Sequence, residues 1–132
     1  MHLQCVACRK TYPPVMLYTC EACGGILEVA EPAGTRVPAD SFAASTMWKY
    51  ADTLAVTDAQ HVVSLGEGMT PLHRAARLEQ HLPNGAVTAY IKDETVNPTG
   101  SFKDRLVSAA VSKAVELGCK AIVCASSGNA GA

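Results

Sequence analysis

The sequence has no excess of charge of either sign and no apolar run of membrane-spanning length. Eleven Lys and Arg residues nearly balance twelve Asp and Glu residues, which leaves a formal net charge of −1. Proteins that bind nucleic acid through surface charge carry a basic patch or stripe, and none is present. A membrane-spanning helix needs about 20 successive apolar residues. We therefore predict a protein without nucleic-acid or membrane partners.

The start of the chain also lacks the features of a secretory leader. The stretch MHLQC contains no basic segment followed by an apolar one, so we expect a soluble protein located in the cytoplasm. Apolar residues make up 48% of the chain, which is enough for a globular core. Because cytoplasmic thiols stay reduced, paired cysteines in such a protein indicate a metal site before a disulfide.

Four of the six cysteines form two Cys-x2-Cys pairs near the start of the chain. They are Cys5, Cys8, Cys20 and Cys23. Each pair brings two thiolates to one side of a tight turn, and two such turns complete a tetrahedral zinc site. A short hairpin over residues 12–17 would connect the pairs. Four thiolates leave no open position for water, so the zinc would be structural; free or redox-paired cysteines are the alternative.

The chain divides into three parts by its sequence pattern. Residues 1–30 form a zinc-ribbon-like module, residues 31–60 form a linker or docking segment, and residues 61–132 alternate between strand and helix patterns. We predict strands over 62–65, 86–92 and 120–125, and helices over 74–82 and 101–117. Within the second helix, a polar stripe recurs at helical spacing. It comprises Arg105, Ser108, Ser112 and Glu116.

The alternation of strand and helix predicts right-handed βαβ crossovers and an α/β fold. Residues 120–125 form a short apolar run, which is typical of a strand buried on both faces of a parallel sheet. The polar turn after it should open another helix, and two or three strands would leave apolar surface exposed. We therefore expect this sequence to be the truncated N-terminal part of a larger enzyme.

Lys103 lies where the N-terminus of a helix disfavours its charge. A turn over residues 97–100 leads to Ser101, which with Asp104 fits a capping box. A solvated surface lysine is the ordinary interpretation, and a P-loop lysine is excluded because the GxxxxGK[ST] motif is missing. A Schiff-base lysine must be neutral to react, and a helix N-terminus and desolvation both favour a neutral amine.

The final loop, residues 126–132, is a second candidate site. Small residues that follow a strand and open a helix present unpaired backbone N–H groups to a carboxylate or phosphate. Asn129 adds a side-chain amide to this loop. An ordinary polar turn has much the same sequence, so that alternative stays open.

Three segments, in this order and at these separations, resemble the fold-type II pyridoxal-phosphate enzymes, which have the tryptophan-synthase-β-like fold. The segments are SLGEGMTPL (64–72), KDETVNPTGSFKDR (92–105) and ASSGNAGA (125–132). Within that group, the sequence is most similar to the threonine synthase family, some members of which carry an N-terminal cysteine-rich zinc module. The resemblance therefore implies a zinc-ribbon-like module followed by the first βαβ units of this fold.

The resemblance also implies roles for individual residues. Lys103 would form the Schiff base with pyridoxal 5'-phosphate and move protons, and Asn129 would hydrogen-bond the cofactor's phenolic oxygen. The substrate carboxylate would be held by Ser126, Ser127, Gly128 and Asn129. The reaction would convert O-phospho-L-homoserine and water into L-threonine and phosphate, and a homodimer of the full-length protein is compatible with the family.

Two positions depart from the family pattern, since Met69 replaces a frequent asparagine and Leu106 replaces a frequent glycine. The family's glycine-rich loop for the cofactor phosphate is missing from these 132 residues. We therefore expect no turnover by this chain alone. A threonine or serine dehydratase-type lyase, which shares PTGSFK, is one alternative, and a non-catalytic zinc-binding remnant is another.

Overall fold

The computed structural model of the protein describes residues 1–30, 45–83 and 87–132. The strands are β1 (His2–Cys5), β2 (Thr11–Tyr12), β3 (Leu27–Ala30), β4 (Leu72–Arg74) and β5 (Tyr90–Lys92). The α-helices are α1 (Ala76–Glu79) and α2 (Lys103–Glu116), and 3-10 helices span Met47–Thr53, Ala59–His61 and Glu94–Val96. Within the described ranges, no helix is long and apolar enough to cross a membrane.

The first 30 residues form an antiparallel sheet in the order β2-β1-β3. The β1–β2 hairpin encloses the first cysteine pair, and Leu3 pairs with Tyr12 across it. A small core contains Cys5, Tyr12 and Cys20, with Leu3, Leu17 and Leu27 packed against it. The hairpin predicted over residues 12–17 is wrong, because the segment after Tyr12 forms bends. Pro13 and Pro14 lack the N–H groups that a strand ladder needs.

Helix α2 confirms the helix predicted over residues 101–117. It has 14 residues, and it is followed by Gly118 at a φ of +73°. This left-handed conformation is the usual end of a helix and favours glycine. The long apolar side chains Phe102 and Leu106 are 62% and 66% exposed, whereas Ser108 and Ser112 are buried. The inner face of α2 is therefore its polar stripe.

The polar stripe of α2 binds the chain that precedes the turn over residues 66–68, called the glycine turn below. Ser112 Oγ accepts a hydrogen bond from the N–H of Val63 at 2.8 Å. One carboxylate oxygen of Glu116 accepts hydrogen bonds from the N–H groups of Thr57 (2.8 Å) and Asp58 (3.0 Å). Backbone N–H groups that have no neighbouring strand need other hydrogen-bond partners, and serine and glutamate side chains supply them here. Of the segment 31–60, residues 31–44 lie outside the described residues.

The remaining predicted elements differ from the structure. Residues 62–65 form no strand, because the backbone of Val63 bonds to side chains of α2 instead. Residues 120–125 also form no strand, and Val123 is 94% exposed. None of the described strands pairs with this segment, and an unpaired strand is not stable in water.

The two-stranded sheet also differs from the prediction in its direction. Strand β4 precedes α1 and pairs with β5 in antiparallel orientation. The predicted helix over 74–82 is shortened to α1, and the strand predicted over 86–92 is reduced to β5, with residue 86 outside the described residues. The mixture of helix and strand agrees with the predicted α/β class. No parallel pair occurs between the described strands.

Glu116 is expected to make the docking of residues 57–58 sensitive to acid. The ammonium of Lys113, together with the Thr57 hydroxyl and the backbone N–H groups, lowers the pKa of Glu116 from 4.5 to about 2. A carboxylate with a depressed pKa stabilises the folded state at pH values above its ordinary pKa. This contribution is lost as the pH falls towards the depressed pKa. Glu116→Gln should therefore lower the urea midpoint at pH 7, and this deficit should shrink between pH 4.5 and pH 2.

The matched control is Glu21→Gln, which changes an exposed glutamate of the first 30 residues. We expect this variant to follow the wild-type pH profile. A deficit for Glu116→Gln that stays constant from pH 7 to pH 2 would contradict the assigned role of the carboxylate.

Gly68 lies where the glycine turn approaches the first 3-10 helix. Its φ is +96°, and a Cβ atom at this position would lie 2.5 Å from the backbone nitrogen of Met47. At Gly66 the φ is +91°, but nothing lies within 4 Å of the corresponding position. We expect Gly66→Ala to reduce the free energy of unfolding by about 1 kcal/mol through backbone strain alone. Gly68→Ala should cost about 1–3 kcal/mol more because of overpacking, and urea denaturation of both variants measures the difference.

Candidate active site and metal centre

Lys103 is fixed at the start of α2 by the turn that precedes it. The turn is closed by a 2.8 Å hydrogen bond from Gly100 N–H to the Asn97 carbonyl. The backbone N–H of Lys103 then donates to Ser101 Oγ at 3.2 Å. Turn and helix therefore set the position from which the side chain of Lys103 extends.

Asp104 does not complete the predicted capping box with Ser101. Its carboxylate instead accepts hydrogen bonds from the backbone N–H (2.8 Å) and the hydroxyl of Thr99. Gly100, at a φ of +72°, directs the chain so that Thr99 faces the first turn of the helix. The buried Asp104 thus connects the turn over residues 97–100 to α2 by hydrogen bonds.

The side chain of Lys103 is half-buried and uncommitted. Among the described residues, nothing forms a hydrogen bond or an ion pair with its ammonium group. Asp104 is bound by Thr99, and the nearest acidic residue before the turn, Glu94, is bound by Arg105. Within the part of the chain that the structure describes, the side chain of Lys103 is therefore not tied into an ion pair.

Arg105 and Glu94 form a bidentate ion pair next to the candidate lysine. The two contacts are Nε–Oε2 at 2.7 Å and Nη2–Oε1 at 2.8 Å. Glu94 also accepts hydrogen bonds from the Thr70 hydroxyl (2.6 Å) and the Asn97 amide (2.9 Å). The guanidinium and these donors lower the pKa of Glu94 to about 2. The network joins the glycine turn, the Glu94–Val96 helix and α2.

Glu67 is a buried carboxylate to which the sequence pattern assigned no role. It is 1% exposed and accepts hydrogen bonds from Ser108 (2.5 Å), the Trp48 indole (2.9 Å) and Leu65 N–H (2.8 Å). Burial alone would raise the pKa of Glu67, but the hydrogen bonds, that of Ser108 foremost, bring it below its ordinary value. Its only sequence signal was a carboxylate between two glycines.

The final loop lies beside this framework. Asn129 lines a cavity of about 160 Å³, together with Thr99, Asp104 and Glu67. No hydrogen bond from the Asn129 amide to the described residues is present. Asn129 therefore faces the same cavity as the turn that positions Lys103. Lys103 itself does not line this cavity.

The other loop residues predicted to bind substrate are exposed. They are Ser126, Ser127 and Gly128. Ser126 Oγ accepts the N–H of Gly128 at 3.1 Å and donates to its carbonyl at 2.9 Å. The Gly128 N–H is thus engaged within the loop, so an anion would have to displace the Ser126 hydroxyl to reach it.

The four predicted metal ligands form a compact cluster. All four Sγ atoms lie within 4.8 Å of one another, and the Cys5–Cys23 and Cys8–Cys20 pairs are separated by 3.5 Å and 3.6 Å. Tetrahedral bonds of about 2.3 Å place the sulfur atoms on zinc about 3.8 Å apart. The arrangement therefore fits a four-thiolate zinc site.

Glycine and tyrosine shape the surroundings of this cluster. A Cβ atom at Gly25 would lie 2.9 Å from Cys5 Sγ, so the close approach of the second turn requires glycine. The Tyr12 hydroxyl lies 3.1 Å from Cys20 Sγ, and its hydrogen bond lowers the pKa of Cys20 to about 6. The backbone N–H of Cys8 likewise lowers the pKa of Cys5. Metal binding needs thiolates, and these two shifts favour them. At Cys23 the backbone N–H of Gly25 lowers the pKa, but hydrogen bonds with the neighbouring thiols outweigh it and raise the pKa to about 12.

Comparisons with known proteins identify relatives over nearly the whole of this chain. The chain is 42% identical to threonine synthase of Methanocaldococcus jannaschii over 135 residues, which is 98% of this chain and 33% of the relative. Threonine synthase of Methanosarcina acetivorans is 38% identical over 99% of this chain and 32% of its own length. That of Halalkalibacterium halodurans is 48% identical over 64% of this chain and 23% of its own length. No solved structure matches.

The chain spans about a third of the length of the first two relatives. The family model described as pyridoxal-phosphate dependent enzyme matches residues 63–132, which is more than half of the chain and includes both Lys103 and the final loop. This chain belongs to the pyridoxal-phosphate-dependent enzyme family.

Proposed function

We propose that the chain is the N-terminal part of a threonine synthase, with pyridoxal phosphate on Lys103 and a structural zinc ion. The proposed reaction converts O-phospho-L-homoserine and water into L-threonine and phosphate. The observation that carries it is the uncommitted amine of Lys103 at the fixed start of α2, in a chain whose relatives over nearly its whole length are threonine synthases. Because it spans about a third of those relatives, we propose that it is inactive alone.

Each candidate residue has a defined task in this proposal. When bound, the cofactor supplies an electron sink for carbanions at the substrate. The amine of Lys103 would hold the cofactor covalently, and the same amine would accept and return protons at the substrate. The amide of Asn129 donates to the cofactor's phenolic oxygen. The Gly128 N–H exchanges its bond to Ser126 Oγ for a bond to the substrate carboxylate.

The framework around Lys103 supports a positioned nucleophile. Proton transfer requires the amine to stay within hydrogen-bond reach of the reacting atom. The bidentate Arg105–Glu94 pair holds the second residue after Lys103, and Asp104 holds the turn before it. These contacts restrict rotation and sliding of the first turn of α2, so the side chain of Lys103 starts from a fixed point.

The zinc ion has a separate, structural task. Two of its ligands, Cys5 and Cys20, are 0% and 2% exposed, and they form most of the small core of the first 30 residues. Four thiolates complete the coordination of zinc and leave no position for a reacting water. The metal therefore stabilises the N-terminal sheet and takes no part in the proposed reaction.

A chimera tests the proposed reaction. The segment of the Methanocaldococcus jannaschii threonine synthase that matches this chain, about a third of its length, would be replaced with residues 1–132. Phosphate release from O-phospho-L-homoserine would then be measured, with the Lys103→Ala chimera as the control. We expect the chimera to release phosphate and produce threonine, and the Lys103→Ala chimera to do neither.

Two results would favour the alternatives. A chimera that deaminates threonine or serine but does not process O-phospho-L-homoserine would support a dehydratase-type lyase. A folded chimera without any cofactor absorbance or turnover would contradict the enzyme proposal and support a zinc-binding remnant.

A further inference from the structure

Tyr12 lies in the core of the cysteine cluster with its hydroxyl against one metal ligand. The distance from its Oη to Cys20 Sγ is 3.1 Å. The residue is 9% exposed, and within the described residues no other side chain bonds to this hydroxyl. A buried hydroxyl needs a partner, and the partner here is the sulfur of Cys20.

The fold, rather than a mobile side chain, sets the position of this hydroxyl. Tyr12 belongs to β2 and is paired with Leu3 of β1. Its ring packs in the core with Cys5 and Cys20, and the Lys10 ammonium lies 5.3 Å from the ring centroid. The ring is thus held on several sides, and its hydroxyl is directed at the second cysteine pair.

The direction of the hydrogen bond follows from the chemistry of the site. A cysteine bound to zinc is a thiolate and has no proton to donate. The Tyr12 hydroxyl must therefore be the donor when the site is metallated. Such a bond withdraws electron density from the sulfur, in the way that outer-shell partners tune other metal ligands.

The four ligands are not equivalent in this respect. Cys8 and Cys23 are exposed to water, whereas Cys5 and Cys20 are buried. Cys5 accepts a hydrogen bond from the backbone N–H of Cys8 at 3.5 Å. Among the described residues, only Cys20 is bound by a side-chain hydroxyl. Of the two buried sulfur atoms, that of Cys20 therefore has a side-chain donor among the described residues, and that of Cys5 does not.

We propose that Tyr12 is an outer-sphere positioning residue of the metal centre. Its hydroxyl donates to the Cys20 thiolate, which strengthens retention of the metal and makes that sulfur less reactive towards electrophiles. The inference rests on the zinc centre of the proposed function, but it concerns a residue that is not itself a ligand.

The test compares Tyr12→Phe with Tyr18→Phe in the full 132-residue chain. Tyr12→Phe keeps the buried ring and removes only the hydroxyl, whereas Tyr18 is 86% exposed in the same module. Each protein would be loaded with Co²⁺ to record its thiolate-to-metal charge-transfer band, and zinc affinity would be measured by chelator competition. We expect Tyr12→Phe to shift the band to longer wavelength and to weaken zinc binding about 10- to 100-fold.

Tyr18→Phe should match the wild type in both measurements. A Tyr12→Phe protein with the wild-type band position and zinc affinity would overturn the inference. If Tyr12→Phe binds no metal, a second variant with 4-aminophenylalanine at position 12 tests whether the missing donor is the cause. This residue restores a hydrogen-bond donor on the same ring. Recovered binding supports the inference, and continued loss of binding overturns it. Absence of metal binding by the wild type and Tyr18→Phe would instead refute the zinc centre itself.

Discussion

Lys103→Ala is expected to abolish site-specific attachment of pyridoxal phosphate to this chain. The amine of Lys103 is held at the start of α2 and is not engaged by the described residues. Exposed lysines react with aldehydes only weakly and without preference, because nothing fixes their geometry. Borohydride reduction at stoichiometric cofactor, followed by peptide mass mapping, should therefore find the reduced adduct at residue 103 in the wild type and background labelling in the variant.

Lys120→Ala is the matched control for this experiment. Lys120 is exposed and lies beyond the end of α2, so its removal should leave labelling at residue 103 unchanged. Equal labelling of wild type and Lys103→Ala would show that the chain has no specific attachment site. Labelling concentrated at another lysine would move the proposed site to that residue.

Cys20→Ser is expected to remove zinc and unfold the β2-β1-β3 sheet. The metal-free core consists mainly of Cys5, Tyr12 and Cys20, which is too small to stabilise three short strands. Structural zinc supplies about 10–16 kcal/mol of apparent binding free energy, which is coupled to folding. Metal analysis should find about one zinc ion per wild-type chain and almost none in the variant. Hydrogen exchange of the amides in β1 and β3 should become fast.

Cys124→Ser controls for the loss of a thiol as such. Cys124 is exposed and lies outside the four-cysteine cluster, so this variant should retain zinc and slow exchange. If Cys20→Ser keeps both zinc and protected amides, the four-thiolate centre is wrong. Helix α2 should keep its protection in either variant, because its side chains hydrogen-bond to Trp48 and to residues 57–70 and 94–99.

The features that could be predicted from the sequence depend on short separations along the chain. Helix α2 is specified by local signals: a turn before it, a continuous helical pattern and Gly118 after it. All of these lie within about 20 residues. The two Cys-x2-Cys pairs specify their own turns, and their four sulfur atoms then meet in one cluster. The position of Lys103 at a helix start was predicted in the same way, because it can be read locally.

The features that could not be predicted depend on contacts between distant segments. Glu67 is bound by Trp48 and Ser108, which are 19 and 41 residues away. The inward polar stripe of α2 reverses the usual rule that the apolar face is buried, because its partner is an extended backbone that needs hydrogen bonds. For residues 120–125, an apolar pattern predicts a strand, but strand formation also requires a neighbouring strand that the pattern does not contain.

The fluorescence of Trp48 reports on the contact between this residue and α2. Trp48 is the single tryptophan of the chain, and its N–H donates to Glu67 and to Ser108 on α2. Ser108 is five residues beyond Lys103, a rise of about 7.5 Å along the helix. Separation of this indole from α2 would expose it to water and shift its fluorescence emission to longer wavelength. Docking of residues 45–67 on α2 can therefore be followed in an unlabelled sample.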